Sequence, residues 1–215
     1  NNIIDIKDDG SFQLNLKYFN FPVGLTMTNE GFADLFGQPV RMTEKEDLTQ
    51  FHMDIAASIQ AVTEKIIINM TNSLCDEYKI HNLCLAGGVA LNCVANGKVL
   101  RNNKYNNIWI QPASGDAGGS IGAALAYWHI ELKKPRIINS EDAMNGSYLG
   151  PSYNDKDVEK VLKNNKAIFK KFSYDEMIIF TAKALSENKA VGWFQGRMEF
   201  GPRALGNRSI LGNPL

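Results

Sequence analysis

The sequence predicts an α/β fold, and three observations support this prediction. Residues 82–132 twice repeat the order short apolar strand, glycine-rich loop and helix. The hydrophobic residues change along the chain from a period of two, typical of strands, to one of three to four, typical of helices. With 215 residues, of which 44% are hydrophobic and 21% charged, the chain suffices for one or two globular domains. Repeats of this kind place parallel strands in one sheet, and ligands bind at the carboxyl ends of those strands.

The N-terminal half contains a predicted strand and a long predicted helix. Apolar and polar residues alternate over residues 11–20, which indicates a half-buried strand. Residues 22–50 are mixed and punctuated by glycine and proline, so we expect loops and short helices. From Asp54 to about Asp76 the apolar residues recur every three or four positions, which predicts one face of a helix.

The middle of the chain holds the two strand–loop–helix units. The segment HNLCLAGG (81–88) indicates a short buried strand that ends at a double glycine, and residues 89–101 are predicted to be helical. The segment NIWIQP (107–112) indicates a second strand. A second glycine loop (113–120) and a helix (121–132) follow.

The C-terminal part begins with a segment rich in Pro, Gly, Ser and Asn, residues 133–156, which predicts a linker. Beyond it we expect a helix over 155–164, a strand over 167–172, a helix over 174–188 and a strand over 190–196.

The composition excludes two classes of protein. Lys plus Arg is 23 and Asp plus Glu is 23, and this balance argues against sequence-independent nucleic-acid binding, which needs a basic surface. No apolar run approaches the roughly 18 residues of a membrane span. The cysteines are odd in number and follow no CxxC spacing, so we expect reduced core thiols in a cytoplasmic protein. They are Cys75, Cys84 and Cys93.

The first glycine loop, LAGGVALN (85–92), is a candidate phosphate or ribose site. Gly87 and Gly88 would let a ligand approach the backbone, and the following helix would offer free N–H groups. Asn92 lies one turn further and could hydrogen-bond a hydroxyl or a phosphate. The loop matches neither the Walker A nor the G-x-G-x-x-G pattern. An ordinary tight turn for helix–sheet packing is the alternative.

The second glycine loop, SGDAGGS (114–120), contains the lone carboxylate Asp116 among small residues. A buried charge at a strand end needs a partner, which a metal ion or a nucleotide–metal complex would supply. Helix N-capping by Asp116 is the alternative. The glycines after it predict a helix packed very close to a neighbour.

The third candidate is the segment RMEFGPRALGNRS (197–209). Arginine is suited to bidentate capture of phosphate and carboxylate, and three cations held together favour an anion among them. Glu199 is predicted to fix one arginine by a salt bridge. A solvated turn with scattered arginines is the alternative. The cluster consists of Arg197, Arg203 and Arg208.

The histidines, His52, His81 and His129, show no metal-binding spacing and are expected to be ordinary surface or hydrogen-bonded side chains.

Three segments together resemble the O-carbamoyltransferases of the nodulation-protein and antibiotic-tailoring type. They are LAGGVALNCVANGKVL, PASGDAGGSIGAALAYW and GRMEFGPRALGNRSIL. The resemblance extends from about Asp54 to Leu211, and the third segment is the most specific to that family. The first two are shared with the tRNA threonylcarbamoyl-transfer proteins and, more loosely, with actin-like ATPases.

The resemblance implies an α/β architecture in two parts. Residues 1–132 would be the C-terminal part of an actin-like (ASKHA, threonylcarbamoyl-transferase-like) nucleotide-binding domain. Residues 133–156 would be a linker, and residues 157–215 would begin a carbamoyltransferase C-terminal domain with a YrdC-like fold.

The resemblance also implies a reaction. Carbamoyl phosphate and ATP would give a carbamoyl adenylate, and the carbamoyl group would pass to a hydroxyl of a sugar-like or natural-product acceptor. The implied cofactors are ATP and a divalent metal, iron or magnesium. Neither a nucleic acid nor a membrane is expected as a partner, and a homodimer is one assembly the resemblance allows.

The family's functional positions carry over to this chain as follows. The residues that would line the nucleotide site are Gly87, Gly88, Asn92 and Gly115. Asp116 matches an aspartate that ligates the metal. The residues assigned to carbamoyl phosphate or to the ATP phosphates are Arg197, Arg203 and Arg208.

The chain departs from the family pattern in three respects: it lacks the metal-binding histidine pair, the first half of the actin-like domain and most of the second domain. It contains no His-x-x-x-His sequence, whereas the family has a metal-binding histidine pair upstream. We therefore expect a piece of a longer protein that holds half of each site and is inactive alone. Two other functions stay open, a tRNA threonylcarbamoyl transferase relative and a non-catalytic actin-like ATP-binding module. The neutral charge argues against the first, and the effect of Arg203→Ala on ATP binding would identify the second.

Overall fold

The computed structural model describes residues 2–138 and 141–214, which form a mixed α/β structure. The chain divides into two compact units. The first contains the described residues up to Cys84 together with Asn92–Trp109, and the second contains Leu85–Leu91 together with the described residues from Ile110 onward. The domain boundaries expected from the family resemblance concern the whole protein and stay a prediction.

The first unit begins with an antiparallel hairpin of β1 (Ile4–Ile6) and β2 (Phe12–Leu14). The strand predicted over residues 11–20 is therefore correct at its start and too long at its end. Asn15 ends it, because its side-chain oxygen accepts a hydrogen bond from the Lys17 N–H and starts a 3₁₀ turn over Leu16–Tyr18.

Two helices follow in this unit. Helix α1 (Glu30–Phe36) is one of the short helices expected in residues 22–50, and Gly37 ends it in the left-handed conformation. Helix α2 (Gln50–Tyr78) confirms the predicted long helix and starts four residues before Asp54. The Thr49 N–H donates to His52 Nδ1 at 3.1 Å and so satisfies a backbone donor at the helix start.

The core of the first unit lies where α2 packs against α3 (Cys93–Arg101). Its buried members are Cys75, Val99 and Tyr105, and the partly buried side chains around them are Ile67, Ile68, Leu83 and Ile108. All three cysteines are free thiols, as predicted. Their expected place in the core is wrong for two of them, because Cys84 and Cys93 are exposed and only Cys75 is buried.

Strands β3 (Asn82–Leu85) and β4 (Asn107–Ile110) confirm the two predicted apolar strands and pair with each other. The Asn106 N–H donates to His81 O at one end and the Gln111 N–H to Leu85 O at the other. The partners advance in the same direction along both strands, which is the parallel arrangement predicted.

In the second unit, the 3₁₀ turn Gly88–Leu91 follows the first glycine loop, and helix α4 (Asp116–Ala126) follows the second. A π-helical turn, Tyr127–Glu131, continues α4. The predicted loop over 113–120 is too long, because α4 begins at Asp116 and includes the glycines. Gly118 is required by packing, because a Cβ atom at this position would lie 2.1 Å from Ala113 O, whereas a Cβ atom at Gly119 would meet nothing within 4 Å.

The C-terminal part contains α5 (Asp155–Asn164), α6 (Tyr174–Ser186) and an antiparallel pair of β5 (Val191–Phe194) with β6 (Arg208–Leu211). The predicted helices and the strand at 190–196 are confirmed. The predicted strand over 167–172 is wrong: these residues form no ladder within the described chain. The Phe172 ring instead stacks on Phe180 of α6 at 5.2 Å.

The predicted linker over 133–156 includes residues 139–140, which lie outside the described residues. Among the described helices, none is long and apolar enough to cross a membrane.

Candidate functional site

The three arginines lie on a loop between β5 and β6, called here the arginine loop (residues 197–208). Its two ends are held together, because the Gln195 N–H donates to Asn207 O at 2.9 Å and Asn207 Nδ2 donates to Arg197 O at 2.8 Å. The loop is therefore an extension of the β5–β6 hairpin rather than a free segment.

Glu199 is the only acid of the arginine loop, and it is 3% exposed. Its Oε1 atom accepts from the backbone N–H groups of Leu205 at 2.8 Å, Asn207 at 2.9 Å and Arg208 at 3.2 Å. Burial acts to raise the pKa of this carboxyl, but the backbone hydrogen bonds outweigh burial and lower the pKa to about 2. The predicted salt bridge from Glu199 to an arginine is wrong, because the backbone donors of the loop lie closer to its oxygen.

The guanidinium groups of the loop differ in their partners. Arg197 Nη1 donates to Gly150 O at 2.7 Å, and Arg208 Nη2 donates to Gly201 O at 3.0 Å. Arg203 is exposed and has no hydrogen bond or ion pair to the described part of the chain. None of the three is paired with a carboxylate within residues 2–138 and 141–214, so their positive charge remains available to an anion.

A segment of the predicted linker packs along the loop; residues 147–152 are called here the strap. The Phe200 N–H donates to Ser147 O at 2.6 Å, and Ser147 Oγ donates to Phe200 O. The Gly150 N–H donates to Met198 O and the Met198 N–H to Pro151 O, both at 2.9 Å. The strap is therefore part of the site scaffold, and the interpretation of residues 133–156 as a whole as a linker stays a prediction. The Gly, Pro and Ser content of the strap does not indicate this pairing in the sequence. The consecutive apolar residues Tyr148 and Leu149 are the one sequence feature that could have indicated it.

The turn before the strap has an uncommon backbone. Asn145, Gly146 and Ser147 have φ values of 47°, 63° and 77°. Such values cost a non-glycine residue roughly 1–2 kcal/mol. The Asp142 carboxylate offsets this cost, because it accepts from the N–H groups of Met144 at 2.9 Å and Gly146 at 2.7 Å. The turn places Ser147, which is 1% exposed, against Phe200.

The two glycine loops meet through a backbone hydrogen bond. Gly87, at φ 97°, donates its N–H to Ser114 O at 2.8 Å. Gly115 is the N-cap residue of α4, and neither Gly88 nor Gly115 has an atom within 4 Å of its Cβ position. A ligand could therefore approach both backbones closely, as the sequence suggested.

Asp116 is the first residue of α4 and is exposed. The expectation of a buried carboxylate is wrong, because the helix starts earlier than predicted and turns this side chain to the surface. N-capping by Asp116 is also wrong, since the cap is Gly115. Within the described chain, no group of three or more His, Cys, Asp or Glu side chains could hold a metal ion. A complete metal site does not fit the residues present, and a contribution from Asp116 to a shared site stays a prediction.

The arginine loop packs on the second glycine loop. A Cβ atom at Gly201, where φ is 129°, would lie 3.3 Å from Ala113 Cα and Cβ. Ala113 is fully buried. Among the described residues, three buried side-chain atoms have no hydrogen-bond partner: Asn29 Oδ1, in the first unit, and Ser114 Oγ and Glu199 Oε2, which lie one or two residues from this contact. Unsatisfied buried groups are rare and often mark a functional site.

Asn92 belongs to the first unit, where its side chain is engaged. Its Oδ1 accepts from the Ala95 N–H at 3.1 Å and from Gln60 Nε2 at 3.2 Å, and its Nδ2 donates to Gln60 Oε1 at 2.9 Å. The amide is thus the N-cap of α3 and a partner of α2. Its assignment to the nucleotide stays a prediction.

A polar cluster next to Asn92 was missed in the sequence. Glu64 on α2 is buried and forms an ion pair with Lys98 on α3. The hydrogen bond from Lys98 and a second one from Gln60 lower the pKa of the Glu64 carboxyl, against the effect of burial. In the sequence, Glu64 lies between the apolar positions Ile59, Val62 and Ile66 of the helical pattern. This placement is the feature from which its burial could have been predicted.

The histidines are engaged in local hydrogen bonds, as expected. His52 accepts from the Thr49 N–H, and His81 Nδ1 lies 2.8 Å from Lys104 O. His129 Nδ1 contacts the backbone carbonyl five residues further along the chain at 2.9 Å.

Comparison with protein families identifies the chain. The model of the carbamoyltransferase N-terminus matches residues 1–125, and the model of the carbamoyltransferase C-terminus matches residues 182–215. Because the first match covers more than half of the chain, the chain belongs to the carbamoyltransferase family.

Curated relatives agree with this family. An uncharacterized protein of Synechocystis sp. is 56% identical over 99% of the chain, which corresponds to 35% of that protein's length. Nodulation protein NolNO of Sinorhizobium fredii is 39% identical over 77% of the chain and 24% of its own length. Nodulation protein NolO of Bradyrhizobium diazoefficiens is 38% identical over 77% of the chain and 30% of its own length. The chain thus spans about a third or less of these relatives.

Proposed function

We propose that the full-length protein that contains this carbamoyltransferase-family chain moves a carbamoyl group from carbamoyl phosphate, through a carbamoyl adenylate made with ATP, to a hydroxyl of a sugar-like acceptor. The observation that carries the proposal is the packing of Gly201 on Ala113. It joins the most family-specific motif to the glycine loop that precedes α4.

The arginine loop supplies positive charge where phosphoryl chemistry needs it. Carbamoyl phosphate and ATP are dense anions, and each transfer shifts negative charge onto a departing phosphate or pyrophosphate. Guanidinium groups stabilise such charge through paired N–H donors. In this proposal Arg203, which has no partner in the described chain, binds the phosphate that departs from carbamoyl phosphate. The Arg208 guanidinium is held in place by its hydrogen bond to Gly201 O.

The start of α4 supplies a second set of donors. The first N–H groups of a helix have no partner within the helix and attract anions. Gly115 leaves the backbone open there, and the buried Ser114 hydroxyl has no partner within residues 2–138 and 141–214. We assign these groups to a phosphate of the nucleotide. The described part of the chain holds no complete metal site, so no step is assigned to a metal here, and a contribution of Asp116 to a site shared with the rest of the protein stays a prediction.

Product analysis tests the proposal. The full-length protein is incubated with ATP and a divalent cation, with and without carbamoyl phosphate, and AMP, pyrophosphate and ADP are measured. We expect AMP and pyrophosphate only when carbamoyl phosphate is present. Formation of ADP regardless of carbamoyl phosphate would identify an ATPase or kinase instead. ATP binding without any turnover would identify a non-catalytic module.

A further inference from the structure

We infer that Glu199 is a positioning residue that presents Arg203 to the bound anion; the inference rests on the proposed function of the arginine loop. An acid inside an anion site is unexpected, since a free carboxylate repels phosphate. The arrangement of Glu199 explains its presence.

The carboxylate fixes the far side of the loop. Its Oε1 atom accepts from the backbone N–H groups of Leu205, Asn207 and Arg208, so the segment that follows Arg203 is bound to the side chain of a residue that precedes it. The near side is fixed as well, because Gly201 packs on Ala113. Arg203 thus lies on a short arch whose two ends are both held.

The same bonds remove the carboxylate from competition with the ligand. Three N–H dipoles directed at Oε1 offset the negative charge of a side chain that is 3% exposed. Because these three N–H groups already donate to Glu199, the guanidinium groups are the donors that bind the anion. Arg203 has no partner in the described chain. A fixed arch reduces the conformational freedom that is lost when the anion binds.

Glu176 shows what a purely structural carboxylate looks like in the same unit. Its Oε2 accepts from the Ser173 N–H at 2.8 Å and Ser173 Oγ at 2.7 Å in the capping box of α6. It therefore makes comparable hydrogen bonds away from the arginine loop. Glu176→Gln is the matched control for loss of a backbone-binding carboxylate.

A double-mutant cycle in the full-length protein tests the inference. Carbamoyl phosphate binding is measured by calorimetry for the wild type, Glu199→Gln, Arg203→Ala and the double variant, with thermal unfolding to confirm that each is folded. We expect Glu199→Gln to weaken binding about tenfold in the wild type and to have no further effect in the Arg203→Ala background. Glu176→Gln should leave binding unchanged in both backgrounds.

Three results would overturn this inference or its premise, and they are distinguishable. Unchanged binding in Glu199→Gln, or an equal loss in both backgrounds, contradicts the positioning role and leaves the proposed function intact. Unchanged binding in Arg203→Ala contradicts the proposed function of the loop itself. If Glu199→Gln does not fold, Glu199→Asp replaces it in the cycle, since it keeps the charge but withdraws the carboxylate from the N–H groups of Leu205, Asn207 and Arg208. An equal effect of Glu199→Asp in both backgrounds would then overturn the inference.

Discussion

The polar cluster of the first unit and the arginine loop of the second unit use similar residue types in opposite ways. In the first, Gln60, Glu64, Asn92 and Lys98 bond to one another or to a helix end. In the second, Arg203 has no partner in the described chain, and Glu199 leaves a buried atom unsatisfied, as does Ser114 of the neighbouring second glycine loop. Polar groups that satisfy one another hold a fold together, whereas groups without partners indicate where a ligand binds.

The largest effect should come from Arg203. Arg203→Ala in the full-length protein should lower AMP formation at least ~100-fold, because it removes a donor to the shifting phosphate charge. Thermal stability should not change, since Arg203 is exposed. Arg41→Ala is the control, because Arg41 is an arginine of the first unit whose guanidinium binds Glu46 O. Equal activities of Arg203→Ala and Arg41→Ala would contradict a special role of the arginine loop.

A change in the contact between the arginine loop and the second glycine loop should have the next largest effect on AMP formation. Gly201→Ala places a methyl group against Ala113 at a φ of 129°, and such strain costs about 1–3 kcal/mol. We expect a lower melting temperature and a loss of AMP formation of roughly tenfold or more. Gly212→Ala, which meets nothing within 4 Å, is the matched control. A fully active Gly201→Ala variant would show that this contact does not shape the site.

The pH dependence of folding stability tests whether Glu199 stabilises the arginine loop. The pKa of Glu199 falls from an ordinary 4.5 to about 2 in the folded state, so the unfolded chain binds a proton first as the pH falls. The stabilisation by Glu199 is therefore complete above pH 4.5 and is lost between that value and about pH 2. Chemical unfolding measured across this window should depend less steeply on pH in Glu199→Gln. An unchanged slope would contradict the hydrogen-bonding role of this carboxylate.

The smallest effect should come from Asn92. Asn92→Ala removes the N-cap of α3 and should lower the free energy of unfolding by about 1 kcal/mol, whereas Asn92→Ser keeps a capping oxygen. Both variants should retain carbamoyl phosphate binding. Loss of ATP binding in a stable Asn92→Ser variant would instead support the predicted contact with the nucleotide.

Much of the secondary structure could be predicted from local patterns. Helix α2, the parallel pair β3 and β4, and helices α5 and α6 follow from the hydrophobic period and from capping residues. The wrong strand prediction over 167–172 shows the limit, since a short apolar segment becomes a strand only where a partner strand is available. The start of α4 could not be placed from the sequence because glycines are typical of loops, and only Gly118 is required by a close approach, to Ala113 O.

The site could be predicted in its residues but not in its bonds. The arginines and the glycine loops stand out in the sequence, whereas their connections depend on contacts between distant segments. Ser147 and Phe200 are far apart in the chain and share two hydrogen bonds. Glu199 was assigned to an arginine because charge alone suggests a salt bridge, while the fold brings backbone donors closer.

A crystal structure of the full-length protein with carbamoyl phosphate would test directly whether Arg203 binds the phosphate. The account predicts phosphate oxygens about 3 Å from the Arg203 guanidinium, in contact with the arginine loop where it packs on the second glycine loop. A phosphate bound elsewhere, with Arg203 still free of contacts, would contradict it.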